Sequence, residues 1–265
     1  MLQQILPQVV EIAKEAGAFI RQERQKFDPA NIEYKGLNDM VSYVDKQAEQ
    51  IIVRGLEKVL PEAGFITEEK TATKTGEHYN WIIDPLDGTT NFIHGVPAFA
   101  VSIGLQQDDE LVLGVVYEIN LDECFYACSG SPAYLNGKEI RVSAPTKIAD
   151  SLLATGFPYY DFRKQQQYIN LFTELMQGCH GLRRIGSAAV DLVYTACGRF
   201  EAFYEYNLNA WDIAAGVVIV RQAGGDVVNF SGGQEVMNTR ELLATNGKIT
   251  EEMLGVINKH FGAKA

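Results

Sequence analysis

The segment Trp81-Ile82-Ile83-Asp84-Pro85-Leu86-Asp87-Gly88-Thr89-Thr90 holds the densest chemistry in the chain. An apolar run, read as a buried strand, ends in two carboxylates three residues apart. Pro85 lacks a backbone donor, so strand pairing is expected to stop there. Gly88 permits a tight turn with close backbone approach. Thr89 and Thr90 can open a helix whose free N–H groups face an anion. Two carboxylates beside such a turn suit hard divalent cations, which bridge carboxylate and phosphate oxygens. An Asx turn running into a helix N-cap satisfies the same letters, and the motif alone does not choose. Glu68 and Glu69 follow the short apolar strand Gly64–Thr67, and Asp212 follows Trp211 at the start of an apolar helix. Each has an ordinary explanation: a solvated loop acid for Glu68, an acid complementing the helix dipole for Asp212.

The elements that must position these residues follow from hydrophobic spacing. Leu2, Ile5, Leu6, Val9, Ile12, Ala13, Ala16, Phe19 and Ile20 predict a first helix to about residue 26, stopped by Asp28-Pro29. Residues 34–40 read as a polar connection. Val44, Ala48, Ile51, Ile52, Leu56 and Val59 predict a second helix, ended by Pro61. Residues 68–80 have no apolar periodicity and read as an exposed, mobile loop. Antiparallel strands are expected at 99–105, 111–119, 123–127 and 140–142, the last after a turn at Asn136-Gly137. Beyond them, strands at 152–155, 182–185, 202–206, 226–228 and 242–244 alternate with helices at 163–177, 188–197, 211–223 and 251–260. Ser187 and Thr250 stand at N-cap positions and Gly224-Gly225 at a helix stop. The expectation is an α+β layered fold, one domain over residues 1–265. Its two tightly joined halves would be helices plus antiparallel sheet to about residue 145, then alternating strand and helix.

The composition sets limits. There are 34 acids against 23 Lys plus Arg, a net charge of −11. That excess argues against direct nucleic-acid binding, which needs a basic stripe. It also disfavours anionic ligands unless something supplies positive charge. No apolar run is long enough to span a bilayer, and the first 27 residues follow helical rather than leader spacing. A soluble, cytoplasmic protein is expected. Cys124, Cys128, Cys179 and Cys197 form no CxxC pair or Cys/His cluster and read as buried reduced thiols. His78, His94, His180 and His260 are scattered and read as structural or surface residues.

Together, several pieces resemble the inositol monophosphatase family of magnesium-dependent, lithium-sensitive phosphatases. They are FITEE at 65–69, WIIDPLDGTTNFIH at 81–94, WDIAAG at 211–216 and QAGG at 222–225, in the family's order. The resemblance implies a layered αβαβα sandwich and a homodimer. It implies that Glu68, Asp84, Asp87 and Asp212 bind metal with the Leu86 carbonyl, holding two or three Mg²⁺ per subunit, with Li⁺ as inhibitor. Glu68 and Thr89 would serve the nucleophilic water, and Asp45 would relay a hydrogen bond to Thr89. Asp87, Gly88, Thr89, Ser187, Ala188, Glu205 and Asp212 would contact substrate. Lys35 matches the family's upstream lysine.

The implied reaction is hydrolysis of a phosphate monoester by in-line attack of a metal-activated water. Such esters hydrolyse extremely slowly uncatalysed. The resemblance favours myo-inositol 1-phosphate. Thr90-Asn91-Phe92 follows DGT, where branches acting on 3′-phosphonucleotides tend to carry Lys. Glu205 stands seven residues before Asp212, where inositol phosphatases place an acceptor for a ring hydroxyl. Asn209, where the animal enzymes have His, and Gly156-Phe157-Pro158-Tyr159 resemble bacterial members, which implies breadth. The alternatives are same-fold phosphatases acting on fructose 1,6-bisphosphate, histidinol phosphate or a 3′-phosphonucleotide, or a bacterial relative with an added non-catalytic role as a transcription partner. Arg183 and Arg184 would touch phosphate, pair with acids in the dimer, or bind a partner; the sequence does not choose.

Overall fold

The structure, a computed structural model, describes residues 1–28, 32–36, 39–158 and 161–262, with the backbone alone along 32–36 and 39–41. Helices α1 (Leu2–Lys26) and α2 (Tyr43–Val59) pack against each other. Between them, β1 (Ile32–Gly36) and β2 (Asp39–Ser42) form an antiparallel pair where a polar connection was expected. Ile32, Tyr34 and Val41 are strand formers that polarity counting overlooks.

Seven strands follow: β3 (Gly64–Thr67), β4 (Tyr79–Asp87), β5 (Ala100–Gln107), β6 (Glu110–Glu118), β7 (Glu123–Cys128), β8 (Ala133–Leu135) and β9 (Lys138–Ile140). They form one sheet in chain order, with the short helix α3 (Thr89–His94) after β4. Strand β8 was not expected, and β9 ends where a strand was expected to begin. Leu135 pairs with Lys138, so the hairpin closes directly around Asn136 and Gly137, both at positive φ. A two-residue Asn-Gly turn requires strands flush on either side.

The rest of the chain runs β10 (Leu152–Thr155), α4 (Gln165–Gly178), β11 (Gly181–Arg183), α5 (Ala188–Ala196), β12 (Ala202–Tyr206), α6 (Ala210–Gln222), β13 (Asp226–Val228), β14 (Glu241–Thr245) and α7 (Thr250–Phe261). Its five strands lie in the order β11-β10-β12-β14-β13. Thr250 is the first residue of α7, not its cap, and its hydroxyl bonds that of Thr245 at 2.6 Å.

Strand alternation sorts the core into three layers of side chains. Val115 packs toward α1 and α2, whereas its neighbour Val116 packs toward α5 and α6. Phe203 and Leu242 face α5 and α6, whereas Tyr204 and Leu243 face α4 and α7. The result is the αβαβα sandwich: α1/α2, the seven-stranded sheet, α5/α6, the five-stranded sheet, α4/α7. Gly104 and Gly114 pair across β5 and β6, and a Cβ on either would strike Ala214 or Ala215 of α6. Those two glycines let α6 lie flat on the sheet, which carries Asp212 to the end of β4. No described helix is long and apolar enough to cross a membrane.

Candidate active site

A cleft of about 300 Å³ opens where the end of β4 meets the N-termini of α5 and α6. Strand β4 does not stop at Pro85 as expected. It continues to Asp87 through a register irregularity, with Asp84 opposite Ser102 and Asp87 opposite Ala100 of β5. In a regular strand, residues three apart point to opposite faces. The extra residue restores the phase, so both carboxylates line the same cleft. The Leu86 side chain is buried in the core, and its N–H donates to Asp84 Oδ1 at 3.0 Å.

Gly88, at φ +95°, turns the chain into α3, where a side chain would crowd the Ala98 carbonyl. The Thr89 hydroxyl then lies 3.0 Å from both Asp45 Oδ1 and the Leu86 carbonyl. Asp45 is almost wholly buried. Its other oxygen accepts the Ser42 N–H (2.8 Å) and hydroxyl (2.7 Å), closing the capping box of α2. Burial pushes the Asp45 carboxyl up, opposed by the Ser42 and Thr89 hydrogen bonds.

The second half clamps Asp87. Its Oδ2 accepts the Ser187 hydroxyl at 2.6 Å and the Ala189 N–H at 2.7 Å. Ser187 also caps α5 by accepting the Val190 N–H, so cap and cleft contact are one residue. Asp212 accepts the Asn209 N–H at 2.7 Å and lines the cleft, serving its helix and the site together. Asp84 shares a hydrogen bond with Glu68.

Burial and mutual repulsion disfavour the ionised form throughout this cluster. Burial, then the neighbouring Glu68, Asp87 and Asp212, holds Asp84 well above the carboxylate range. Burial raises Asp87 to about 6 despite the bonds from Ser187 and Ala189. Burial and Asp87 raise Asp212 to about 7. Among the described residues, no three acid, His or Cys side chains already close on a single metal position. The carboxylates line a shared wall instead. Oxygen donors that repel one another when ionised fit a hard divalent cation, which would offset that repulsion.

At the other end of the cleft, Glu205 of β12 is buried against Gly156, where a Cβ would strike its carboxylate. Arg184 lines this end and lowers the cost of ionising Glu205 and Asp87, with its guanidinium over the Phe157 ring. Arg183 is exposed and donates to the neighbouring Leu182 carbonyl, so the two arginines part company. Ala188 lines the cleft as expected. Lys35 falls on β1, where side chains lie outside the described residues.

Sequence reasoning missed Asp191. It is buried on α5, and its Oδ1 has no hydrogen-bond partner among the described residues. Burial and then Glu205 raise it well above its usual range. A lone acid in the apolar helix AAVDLVYTA was the available signal. Structural or surface roles were expected of the histidines: exposed His78 pairs with Asp108, and the half-buried His260 ties α7 to Glu174 of α4. All four cysteines are free; Cys124 and Cys128 are buried as expected, whereas Cys179 and Cys197 are half-buried, and burial pushes Cys124 up to about 12.

An αβαβα sandwich with an acid-walled cleft at a DxxDGT turn defines a recognisable class. The chain belongs to the inositol monophosphatase family, which it matches over residues 1–261. It is 37% identical to an inositol-1-monophosphatase of Mesorhizobium japonicum over 98% of both chains. It is 41% identical to Nus factor SuhB of Escherichia coli over 92% of both. The crystal structure of the extragenic suppressor protein suhB from Bartonella henselae superposes with a TM-score of 0.90 at 38% identity, covering 96% of this chain and 98% of that one.

Proposed function

We propose that this chain hydrolyses phosphate monoesters in a Mg²⁺-dependent reaction, with myo-inositol 1-phosphate as its preferred ester. The observation that carries this is the convergence of Glu68, Asp84, Asp87 and Asp212 on one cleft beside the Thr89–Asp45 pair. Glu68, Asp84, Asp87, Asp212 and the Leu86 carbonyl would hold the cations, two or three per subunit. Bound Mg²⁺ would supply positive charge against the ester and a lower pKa for the attacking water, which makes it the better nucleophile.

The protein's own residues do the rest. Asp45 accepts the Thr89 hydrogen, which leaves the Thr89 oxygen as an acceptor facing the cleft. In that state Thr89 would accept a hydrogen bond from the attacking water and orient its lone pair. The Gly88 and Thr89 N–H groups meet the phosphate oxygens. Glu205, with Ser187 and Ala188, reads the alcohol. Lys35 is a further candidate beside the phosphate. Li⁺ inhibits, and the protein works as a cytoplasmic homodimer.

The test is phosphate release from myo-inositol 1-phosphate, fructose 1,6-bisphosphate, histidinol phosphate and a 3′-phosphonucleotide, with Mg²⁺, with chelator, and with Li⁺. The highest kcat/KM is expected on the inositol ester, lost to chelator and inhibited by Li⁺. A nucleotide preference with the inositol ester ignored rejects the substrate; chelator-resistant turnover rejects the cation.

A second reading adds a non-catalytic role as a partner of the transcription machinery. The naming of relatives up to 41% identical as Nus factors supports it. A cellular phenotype rescued by an inactive Asp87→Asn protein is its expected signature.

A further inference from the structure

Helix α2 carries two buried acids one turn apart, Asp45 and Glu49. Residues at i and i+4 share a helix face. Asp45 reaches Thr89 on one flank of the cleft. Glu49, fully buried, reaches the segment after Glu68 on the other. Its Oε2 accepts the Glu69 N–H at 2.8 Å. Its Oε1 accepts both the N–H and the hydroxyl of Thr71, each at 2.7 Å. Between those anchors Lys70 takes a left-handed φ of +56°, which a non-glycine residue adopts only under constraint. Glu68 itself donates its N–H to the Ile83 carbonyl of β4 at 3.2 Å. The backbone on either side of Glu68 is therefore tied, to the sheet before it and to Glu49 after it. The segment 68–80, expected to be a mobile loop, is largely exposed but fastened at this end, held to β3 where the Lys74 carbonyl accepts the Phe65 N–H, and its last two residues belong to β4.

We propose that Glu49 is a positioning residue for Glu68: it fixes the backbone beyond Glu68 and so aims the Glu68 carboxylate into the cleft. This rests on the reading of Glu68 as a cation-holding carboxylate. Burying an acid is costly unless its hydrogen bonds are made. Among the described residues, Glu49 makes its hydrogen bonds to this loop alone. A glutamine there keeps the shape but offers one acceptor oxygen in place of two, and turns an N–H₂ toward a donor.

The experiment uses the full chain and Mn²⁺ as probe, with free Mn²⁺ read by electron paramagnetic resonance, without turnover. Glu49→Gln is expected to weaken Mn²⁺ binding about tenfold, the usual scale for residues that orient metal ligands. The Mg²⁺ concentration for half-maximal activity should rise in parallel, with kcat at saturating Mg²⁺ nearly unchanged. Tryptic cleavage after Lys70 and Lys74 should accelerate and be suppressed by Mn²⁺. A merely structural role would lower the melting temperature and leave Mn²⁺ affinity alone; that result in a folded Glu49→Gln protein overturns the proposal. If Glu49→Gln does not fold, the exposed Thr71→Val decides: a severalfold loss of affinity supports the proposal and an unchanged affinity overturns it. Glu68→Gln is the reference. If it binds Mn²⁺ like the wild type, the reading of Glu68 fails and takes the proposal with it. If it binds weakly while Glu49→Gln does not, only the positioning role falls.

Discussion

The two ends of the cleft are built on opposite plans. At the end assigned to phosphate, Asp84, Asp87 and Thr89 come from one short segment, and each is fastened by hydrogen bonds from within the protein. At the end assigned to the alcohol, Gly156, Arg184, Asp191 and Glu205 come from separate elements, and Asp191 keeps an oxygen with no partner among the described residues. A phosphoryl group has the same shape in every ester, so its receptor can be preset by backbone geometry. The alcohol varies, and buried polar groups with spare capacity discriminate by what they lose when the wrong ligand leaves them unpaired. On these assignments chemistry and selectivity would be separable by position along one cleft.

The strongest way to break that division is Asp87→Asn. An asparagine oxygen can still accept from Ser187 and Ala189, so the fold should persist by circular dichroism. Turnover should fall by roughly 10²–10³-fold, the scale for losing a fixed electrostatic group at a reacting centre. The loss should be equal on myo-inositol 1-phosphate and on p-nitrophenyl phosphate. Near-normal kcat in the variant would remove the phosphate end from its assigned place.

Glu205→Gln should behave differently on the same two esters. Loss of a charged hydrogen bond to a ring hydroxyl is worth about 10–100-fold in kcat/KM on the inositol ester. The aryl ester, which has no such hydroxyl, should be hydrolysed almost as before. Gly156→Ala should give a weaker version of this pattern, because its new methyl group displaces the Glu205 carboxylate. Equal losses on both esters would collapse the distinction between the two ends.

The same contrast governs what could be read in advance. Asp84, Asp87 and Thr89 lie close together in sequence, so residue type and spacing announce them. Even there, spacing misleads: Pro85 suggested a strand end, whereas pairing resumes beyond it and a bulge brings both acids to one face. Asp45 and Thr89 stand 44 residues apart, and only family resemblance joined them before the contact was seen. Glu49 had no local pattern to mark it, since one acid on an amphipathic helix is ordinary; Asp191 stood out as a lone acid in an apolar helix, but nothing local showed what it faces. Their meaning lies in what they meet after folding. Loop 68–80 looked free for the same reason, because no hydrophobic period reveals a buried carboxylate reaching up from another helix. The element order and the α+β class were legible directly, but the five layers came from family resemblance, because strands buried on both faces read as continuous apolar runs.

The smallest expected effect is on stability, and it distinguishes the ends without turnover. Burial raises Asp87 from 3.8 to about 6 and Asp212 from 3.8 to about 7 in the folded protein. Below about pH 4 both states hold these protons, and the contribution to stability is fully present. As pH rises, the unfolded chain releases its protons first, so that contribution declines until the folded groups also ionise. With chelator present, the melting temperature should therefore fall by a few degrees between pH 5 and 8 in calorimetry. Mg²⁺ favours the ionised carboxylates, so its stabilising increment should grow over the same interval. Glu205 and Asp191 are raised as well, both chiefly by burial. Neutralising either should flatten the chelated slope yet leave the Mg²⁺ increment intact, whereas Asp87→Asn should diminish both. A chelated protein whose melting temperature is flat or rises across this range would contradict the burial of charge at either end. A Mg²⁺ increment lost in Glu205→Gln would show that the two ends hold the same cation.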